Sequence, residues 1–266
     1  MASSMRLTWI LAAVAAGTAT GWSQSRGAAS AVAYQGARLI LGDSQTPIER
    51  GTILVQDGRI TAVGPDDAVT SPAGASRVDL AGKTVMPAMV NAHVHIGYEG
   101  YTSWGAANHT PENVLDHLQR EAFYGVGVTQ SVGSSPTDQS LQIQRDQQAG
   151  KLPPASRFFF MPGFAPPGGG PDAVLRVATT ALHVINEVAN AQEARAAVQA
   201  VAAKNIRQLK IWVDDRRGTY PKMTPEVYNA IIDEAHKHHM IVHAHATTLA
   251  DSRGRCRWCR GRGPSP

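Results

Sequence analysis

Of the 266 residues only two are cysteine, Cys256 and Cys259, and both stand near the C-terminal end. The rest of the chain therefore contains no disulfide, and cysteine usage carries no information about the redox compartment. Acidic residues are missing from both ends. The first thirty residues contain Arg6 and Arg26 but no Asp or Glu, and the last fourteen contain Arg253, Arg255, Arg257, Arg260 and Arg262 without an acid. Setting these seven aside from the 25 Lys and Arg leaves 18 against 21 acids, about three net negative charges over residues 31–251, although the formal charge of the chain is +4. A basic face for nucleic acid is therefore unsupported on the body, and no nucleic-acid partner is expected. The chain also lacks a long apolar run. Arg6, an apolar stretch over residues 7–16 and small residues at 17–19 and 28–31 have the order of an export signal over residues 1–30. A bilayer span needs roughly 20 apolar residues, so a cleaved signal is expected, with no stable membrane span afterwards and a periplasmic or extracellular location.

What is present is globular in composition. With 43% hydrophobic and 17% charged residues the chain can bury a core, which excludes a wholly disordered protein. Over residues 31–82, short β-like segments at 37–41, 51–56, 59–63 and 77–80 are separated by turn residues. Asp57-Gly58 between two of them predicts a hairpin, because both central positions of that turn favour φ > 0. A small β-domain is expected there. From residue 83 the pattern changes: apolar runs at 84–90, 127–132, 157–161, 206–213 and 240–242 alternate with helical stretches at 111–124, 191–204 and 224–238. Thr224-Pro225-Glu226 places a cap residue before a first-turn proline. Strands alternating with helices imply a parallel sheet covered on both faces, and a barrel is one way to close it. Residues 163–171 read as a Pro/Gly-rich loop, and no internal repeat is present. Residues 252–266 are Arg/Gly-rich and cannot form a core element, the kind of switch that a shifted reading frame or misassembled terminus would leave.

His93 and His95 alternate along a strand, so their imidazoles face one side, and the carboxyl end of a barrel strand is where sites form. Two neutral imidazoles on one side suit a borderline cation such as zinc, although an isolated His-x-His is more often a pair of polar loop residues. The surroundings change that balance. Gly51-Thr52-Ile53-Leu54-Val55-Gln56-Asp57-Gly58-Arg59-Ile60-Thr61-Ala62-Val63-Gly64, then Asp79-Leu80-Ala81-Gly82-Lys83-Thr84-Val85-Met86-Pro87, then Asn91-Ala92-His93-Val94-His95 follow one another. Together these phrases resemble the amidohydrolase superfamily, in particular its imidazolonepropionase-like and Xaa-Pro dipeptidase-like branch, over residues 33–248. Ala88 and Asn91 stand where the usual phrase has Gly and Asp.

The resemblance implies an α/β fold. A small β-sandwich-like domain, here residues 31–82, would precede a TIM-type (β/α) barrel, here residues 83–251, with one or two divalent metals, zinc foremost, at the carboxyl ends of the strands. By position, His93 and His95 resemble the first-strand ligands, and His243 in Ile241-Val242-His243-Ala244-His245 resembles the fifth-strand ligand. Lys210, in Arg207-Gln208-Leu209-Lys210-Ile211-Trp212-Val213, resembles the fourth-strand lysine that is carboxylated to bridge two metals. A buried lysine near cations has a lowered pKa, and only the neutral amine adds carbon dioxide. The alternative for Lys210 is a lysine snorkelling from a strand end. His245 faces the same way as His243 and could instead contact substrate or support the ligands. His236, His238 and His239 beside Lys237 read as solvated residues at a helix end, where cations are favoured. Cys256-Arg257-Trp258-Cys259 lacks the second pair that a zinc ribbon needs.

The motif phrases account for five strand segments. In the family a sixth-strand histidine and an eighth-strand aspartate complete the site, and the aspartate moves protons. Neither has a counterpart here before the tail, so no catalytic residue is identified. The expectation is an incomplete barrel, a truncated metal-dependent amidohydrolase hydrolysing C–N bonds in small amides, cyclic amides or dipeptides, and inactive without that aspartate. An exported, non-catalytic metal-binding protein that keeps only His93, His95, Lys210 and His243 is the alternative. A basic-tailed binding module is disfavoured by the charge distribution.

Overall fold

The computed structural model describes residues 31–43 and 46–249. The expected export signal, the Arg/Gly-rich tail and the Cys256/Cys259 pair lie outside the described residues. Among the described residues no helix is long and apolar enough to cross a membrane. The chain divides between Pro87 and Ala88 into two compact units.

In the first unit, β1 (Ala31–Leu39) pairs antiparallel with β2 (Ile48–Gln56), which pairs antiparallel with β3 (Arg59–Pro65). Asp57 and Gly58 join β2 to β3 with φ of 50° and 73°, the left-handed pair that a two-residue hairpin requires. β4 (Ser76–Asp79) and β5 (Thr84–Val85) both run parallel along the other edge of β1. The described strands of this unit thus form one mixed sheet rather than the two facing sheets of a sandwich, because β4 and β5 extend an edge instead of covering a face. Thr84–Val85 belongs to this sheet, so the apolar run at 84–90 is split. Pro87 divides it, having no amide hydrogen with which to continue a ladder. Gly51 lies where β2 crosses β1: a Cβ there would stand 2.4 Å from Leu39 Cδ1.

In the second unit, β6 (Met89–Val94), β7 (Val126–Val132) and β8 (Arg157–Met161) are parallel and adjacent in chain order. Beyond Pro162 the strand resumes as β9 (Gly163–Ala165), with β10 (Ile185–Glu187) on one flank and β11 (Gln208–Trp212) on the other. β12 (Ile241–His245) pairs with β11. The ladder passes across the proline: the Gly133 amide donates to the Met161 carbonyl and the Lys210 amide to the Pro162 carbonyl, each at 2.8 Å. The described strands of this unit form two parallel sheets, β6-β7-β8 and β10-β9-β11-β12, so that β10 is an edge strand on the side of β9 away from β11. The segment 163–171, expected as a loop, therefore opens with a strand. Its glycine is a packing requirement, since a Cβ on Gly163 would lie 2.4 Å from the Gly133 carbonyl oxygen and 2.5 Å from the Trp212 ring.

The helices are α1 (Pro111–Phe123), α2 (Thr137–Gln148), α3 (Ala173–Ala181), α4 (Ala191–Ala203) and α5 (Pro225–Lys237). Thr110, Asn190 and Thr224 cap α1, α4 and α5 by accepting from the amides of Asn113, Glu193 and Val227, and Pro111 and Pro225 open α1 and α5. α2 was not expected, because it buries only Ser140 and Ile143 and leaves no apolar period. Leu209 and Ile211 of β11 pack with Val198 of α4 and Ile231 of α5 in one apolar core.

α5 also carries a buried carboxylate. The Glu234 side chain is 5% exposed, its Oε1 accepts from Gln199 Nε2 and its Oε2 from Lys237 Nζ, each at 2.7 Å, and Arg195 and His238 stand 3.6 Å away. The Lys237 and Gln199 hydrogen bonds hold its pKa down from 4.5 to about 2. Glu234→Ala is expected to lower unfolding stability by about 1–3 kcal/mol, measured by chemical denaturation. Because the folded pKa is depressed, this contribution is full above pH 4.5 and is lost as pH falls towards about 2, so the wild-type advantage should vanish over that window.

Candidate metal centre

Strands β6, β11 and β12 bring the candidate ligands to their carboxyl-terminal rim. His93 lies on β6 and His95 directly follows it, with ring centroids 5.5 Å apart and the planes at 79°. Lys210 is in register with Gly163 on one side and His243 on the other, and Trp212 is in register with His245. Paired residues on adjacent strands point to the same face about 4.8 Å apart, which makes Lys210 and His243 lateral neighbours. Charge links the two groups. His93 is held below its ordinary pKa by partial burial and then by the Lys210 and His243 charges. Burial, followed by His93 and Lys210, brings His95 down to about 4. His243 is lowered by burial and Lys210, and His245 by burial and then Arg216. These imidazoles are accordingly neutral at pH 7, the form that offers a lone pair to a cation.

Lys210 is 4% exposed, and its Nζ lies 5.6 Å from the centre of the Trp212 ring. Burial and the Arg216 charge lower its pKa to about 8, with Asp214 opposing. Among the described residues Nζ has no hydrogen-bond or ion-pair partner, so the amine is readily neutral. No three His, Cys, Asp or Glu side chains among the described residues are gathered as ready ligands of one ion. The donor set fits a divalent cation in kind: neutral imidazoles and a buried amine whose carboxylated form would add anionic oxygens.

Several supporting side chains escaped the sequence reading. Gln208 Oε1 accepts from Gln130 Nε2 at 2.8 Å and from His243 Nε2 at 3.0 Å, which leaves Nδ1 of His243 as the free lone pair. Gln208 stands two residues before Lys210 on the same face of β11, a signal that strand alternation offers; Gln130 is on β7, which does not pair with β11, and only the fold unites them. Ser134, after β7, has its Oγ 2.8 Å from His95 Nδ1. Asp214, after β11, accepts from Arg216 and from Thr247 Oγ1 (3.1 Å), and its Oδ1 is 3.8 Å from His245 Nε2. Arg216 Nε in turn lies 3.4 Å from Asp172 Oδ2. One buried carboxylate thus ties the loops after β11 and β12 together, and Arg216 extends the tie to the start of α3.

No protein-family model matches the chain. It is similar to the enamidase of Eubacterium barkeri, at 29% identity over 98 residues, covering 36% of this chain and 24% of that protein. It is also similar to an imidazolonepropionase of Geobacillus sp., at 43% identity over 58 residues, covering 20% and 14%. A solved Xaa-Pro dipeptidase with methionine bound in its active site shares the fold, with a TM-score of 0.68 and 20% identity over 85% of this chain and 59% of that one. Likeness to proteins of these kinds indicates the amidohydrolase superfamily. The chain spans less than two thirds of each of these relatives.

The rim depends on close backbone approach at Gly133. With φ of 80°, a Cβ there would lie 2.4 Å from Trp212 Cη2 and 2.9 Å from Lys210 Cγ. Gly133→Ala is expected to cost about 1–3 kcal/mol from overpacking, with a left-handed backbone adding strain, and a denaturation midpoint equal to wild type would refute the contact.

Proposed function

We propose that this chain is the metal-binding portion of an exported hydrolase that cleaves C–N bonds in small amides, cyclic amides or dipeptides. The observation that carries the reading is the placement of Lys210 beside His243 on the paired parallel strands β11 and β12, close enough to the end of β6 for their charges to act on His93 next to His95. Its relatives include an enamidase, an imidazolonepropionase and an Xaa-Pro dipeptidase, whose names describe hydrolysis of such bonds. We read the second unit as an incomplete (β/α) barrel, on the strength of its strand order. Export is supported by the Arg6-led apolar stretch at the start of the sequence.

In this reading the imidazoles of His93, His95 and His243 hold the cation, zinc foremost, as one or two ions. Lys210 as the neutral amine adds carbon dioxide: an N–C bond forms, one proton leaves to solvent, and the site gains an anionic oxygen donor. His245, close to Asp214, supports the ligands or touches substrate. A bound divalent cation supplies Lewis acidity and lowers the pKa of water at the site. Delivering a proton to the leaving nitrogen requires a general acid at the rim, and the carboxylate of Asp214 is already engaged by Arg216 and Thr247.

Full-length chain equilibrated with zinc or manganese and bicarbonate, then desalted, is expected to retain metal. His93→Ala and His243→Ala should lose it at unchanged circular dichroism. Equal retention by wild type and both variants sinks the site. Hydrolysis of dipeptides or cyclic amides that disappears in His243→Ala supports the C–N assignment. Metal retention with every such substrate left intact leaves the metal centre standing and accords with the missing late-strand aspartate, whereas turnover that survives in His243→Ala removes the C–N assignment from this site.

A further inference from the structure

Ligand rings on a strand end need something to stop them turning, and for His95 one candidate stands out. Ser134 is fully buried, and its Oγ lies 2.8 Å from His95 Nδ1. Gly133 brings it there, since only a residue without Cβ passes under Trp212 at that point. The backbone of Ser134 is anchored separately. Tyr98, fully buried, donates its hydroxyl to the Ser134 carbonyl, and its ring is held by Trp104 (centroids 5.5 Å, stacked) and His109 (5.0 Å, edge-on). Burial pushes the Tyr98 pKa up, so the hydroxyl remains a donor. A second hydroxyl pair, Ser131 and Ser135 with Oγ atoms 2.7 Å apart, fastens the same turn. The turn is therefore held without the Ser134 side chain, which is left to His95.

We propose that Ser134 is a positioning residue for His95: its hydroxyl accepts the Nδ1–H of the imidazole and leaves Nε2 as the lone pair offered to a cation. This deepens the metal-centre reading and rests on it. A serine hydroxyl can donate or accept. Donation to Nδ1 would put the ring proton on Nε2 and close the site to metal, so occupancy and the accepting role go together. Partners of this kind fix the tautomer and orientation of ligating histidines. An alanine removes the oxygen but keeps the carbonyl that Tyr98 uses, which separates positioning of the ring from anchoring of the turn.

The test is zinc affinity of the full-length chain, by competition with a chromogenic chelator, beside the melting temperature of metal-free protein. Ser134→Ala is expected to weaken binding by about 10–100-fold, with the metal-free melting temperature unchanged, and Ser134→Thr to restore it. Equal affinity in wild type and Ser134→Ala overturns the proposal. So does a loss of affinity that tracks a lowered metal-free melting temperature and is not rescued by threonine. Should wild type bind no zinc, the metal reading itself fails. Nitrogen-15 shifts of the His95 ring in metal-free protein then decide the hydrogen bond: a difference between wild type and Ser134→Ala upholds it, and coincident spectra refute it.

Discussion

The register of β11 between β9 and β12 is the constraint on which the rim depends. Lys210 sits opposite Gly163 on one neighbour and His243 on the other. Strand side chains alternate between faces, so a slip of one residue would send Lys210 and Trp212 towards the helices and bring Leu209 and Ile211 to the rim. Shape enforces the observed register. The Trp212 ring lies against Gly133 and Gly163, where any side chain would collide with it, and the Lys210 amide bonds the Pro162 carbonyl at 2.8 Å. The proline that interrupts β8 and β9 still provides an acceptor, so the ladder survives where the sequence suggests a break.

The two faces of this sheet obey different rules. Towards the helices, Leu209 and Ile211 join an apolar core in which area removed from water is the stabilising term. On the other face, beside the buried Trp212 ring, buried and half-buried polar groups are arranged in pairs: Gln130 with Gln208, Gln208 with His243, Ser134 with His95, and Asp214 with Arg216. Pairing is what makes polar burial tolerable, because an unpaired polar group loses its water and gains nothing. Lys210 stands apart from these pairs, a buried amine facing an aromatic ring, Arg216 and the carboxylate of Asp214, with no hydrogen-bond acceptor among the described residues. Burying an amine in this way costs stability, because it gives up hydration without gaining an acceptor.

Much of the architecture was legible in local signals. Asp57-Gly58 demanded positive φ twice and formed its hairpin, and Thr224-Pro225 opened a helix as cap and first-turn residue. Segments that hid did so for identifiable reasons. α2 is almost wholly polar, so it has no period to read, and β9 is three residues behind a proline in a glycine-rich stretch. Thr84–Val85 looked like the start of the next strand because apolar character runs through Pro87, whereas hydrogen bonding stops there.

By itself the sequence determined which residue types could serve as ligands: strand alternation places His243 with His245 on a common face, whereas for His93 and His95 it gives only an expectation, since β6 shifts register between Asn91 and Val94 and ends before His95. It also determined the alternation of strand and helix that makes a parallel sheet. Only the tertiary structure decided that Lys210 would be buried against the Trp212 ring, that Gln130 would reach Gln208 across 78 positions of sequence, and that Ser134 would stand beside His95. The physical reason is range: turns, caps and strand faces follow from neighbouring residues, whereas the pKa and orientation of a side chain depend on what distant segments bring against it.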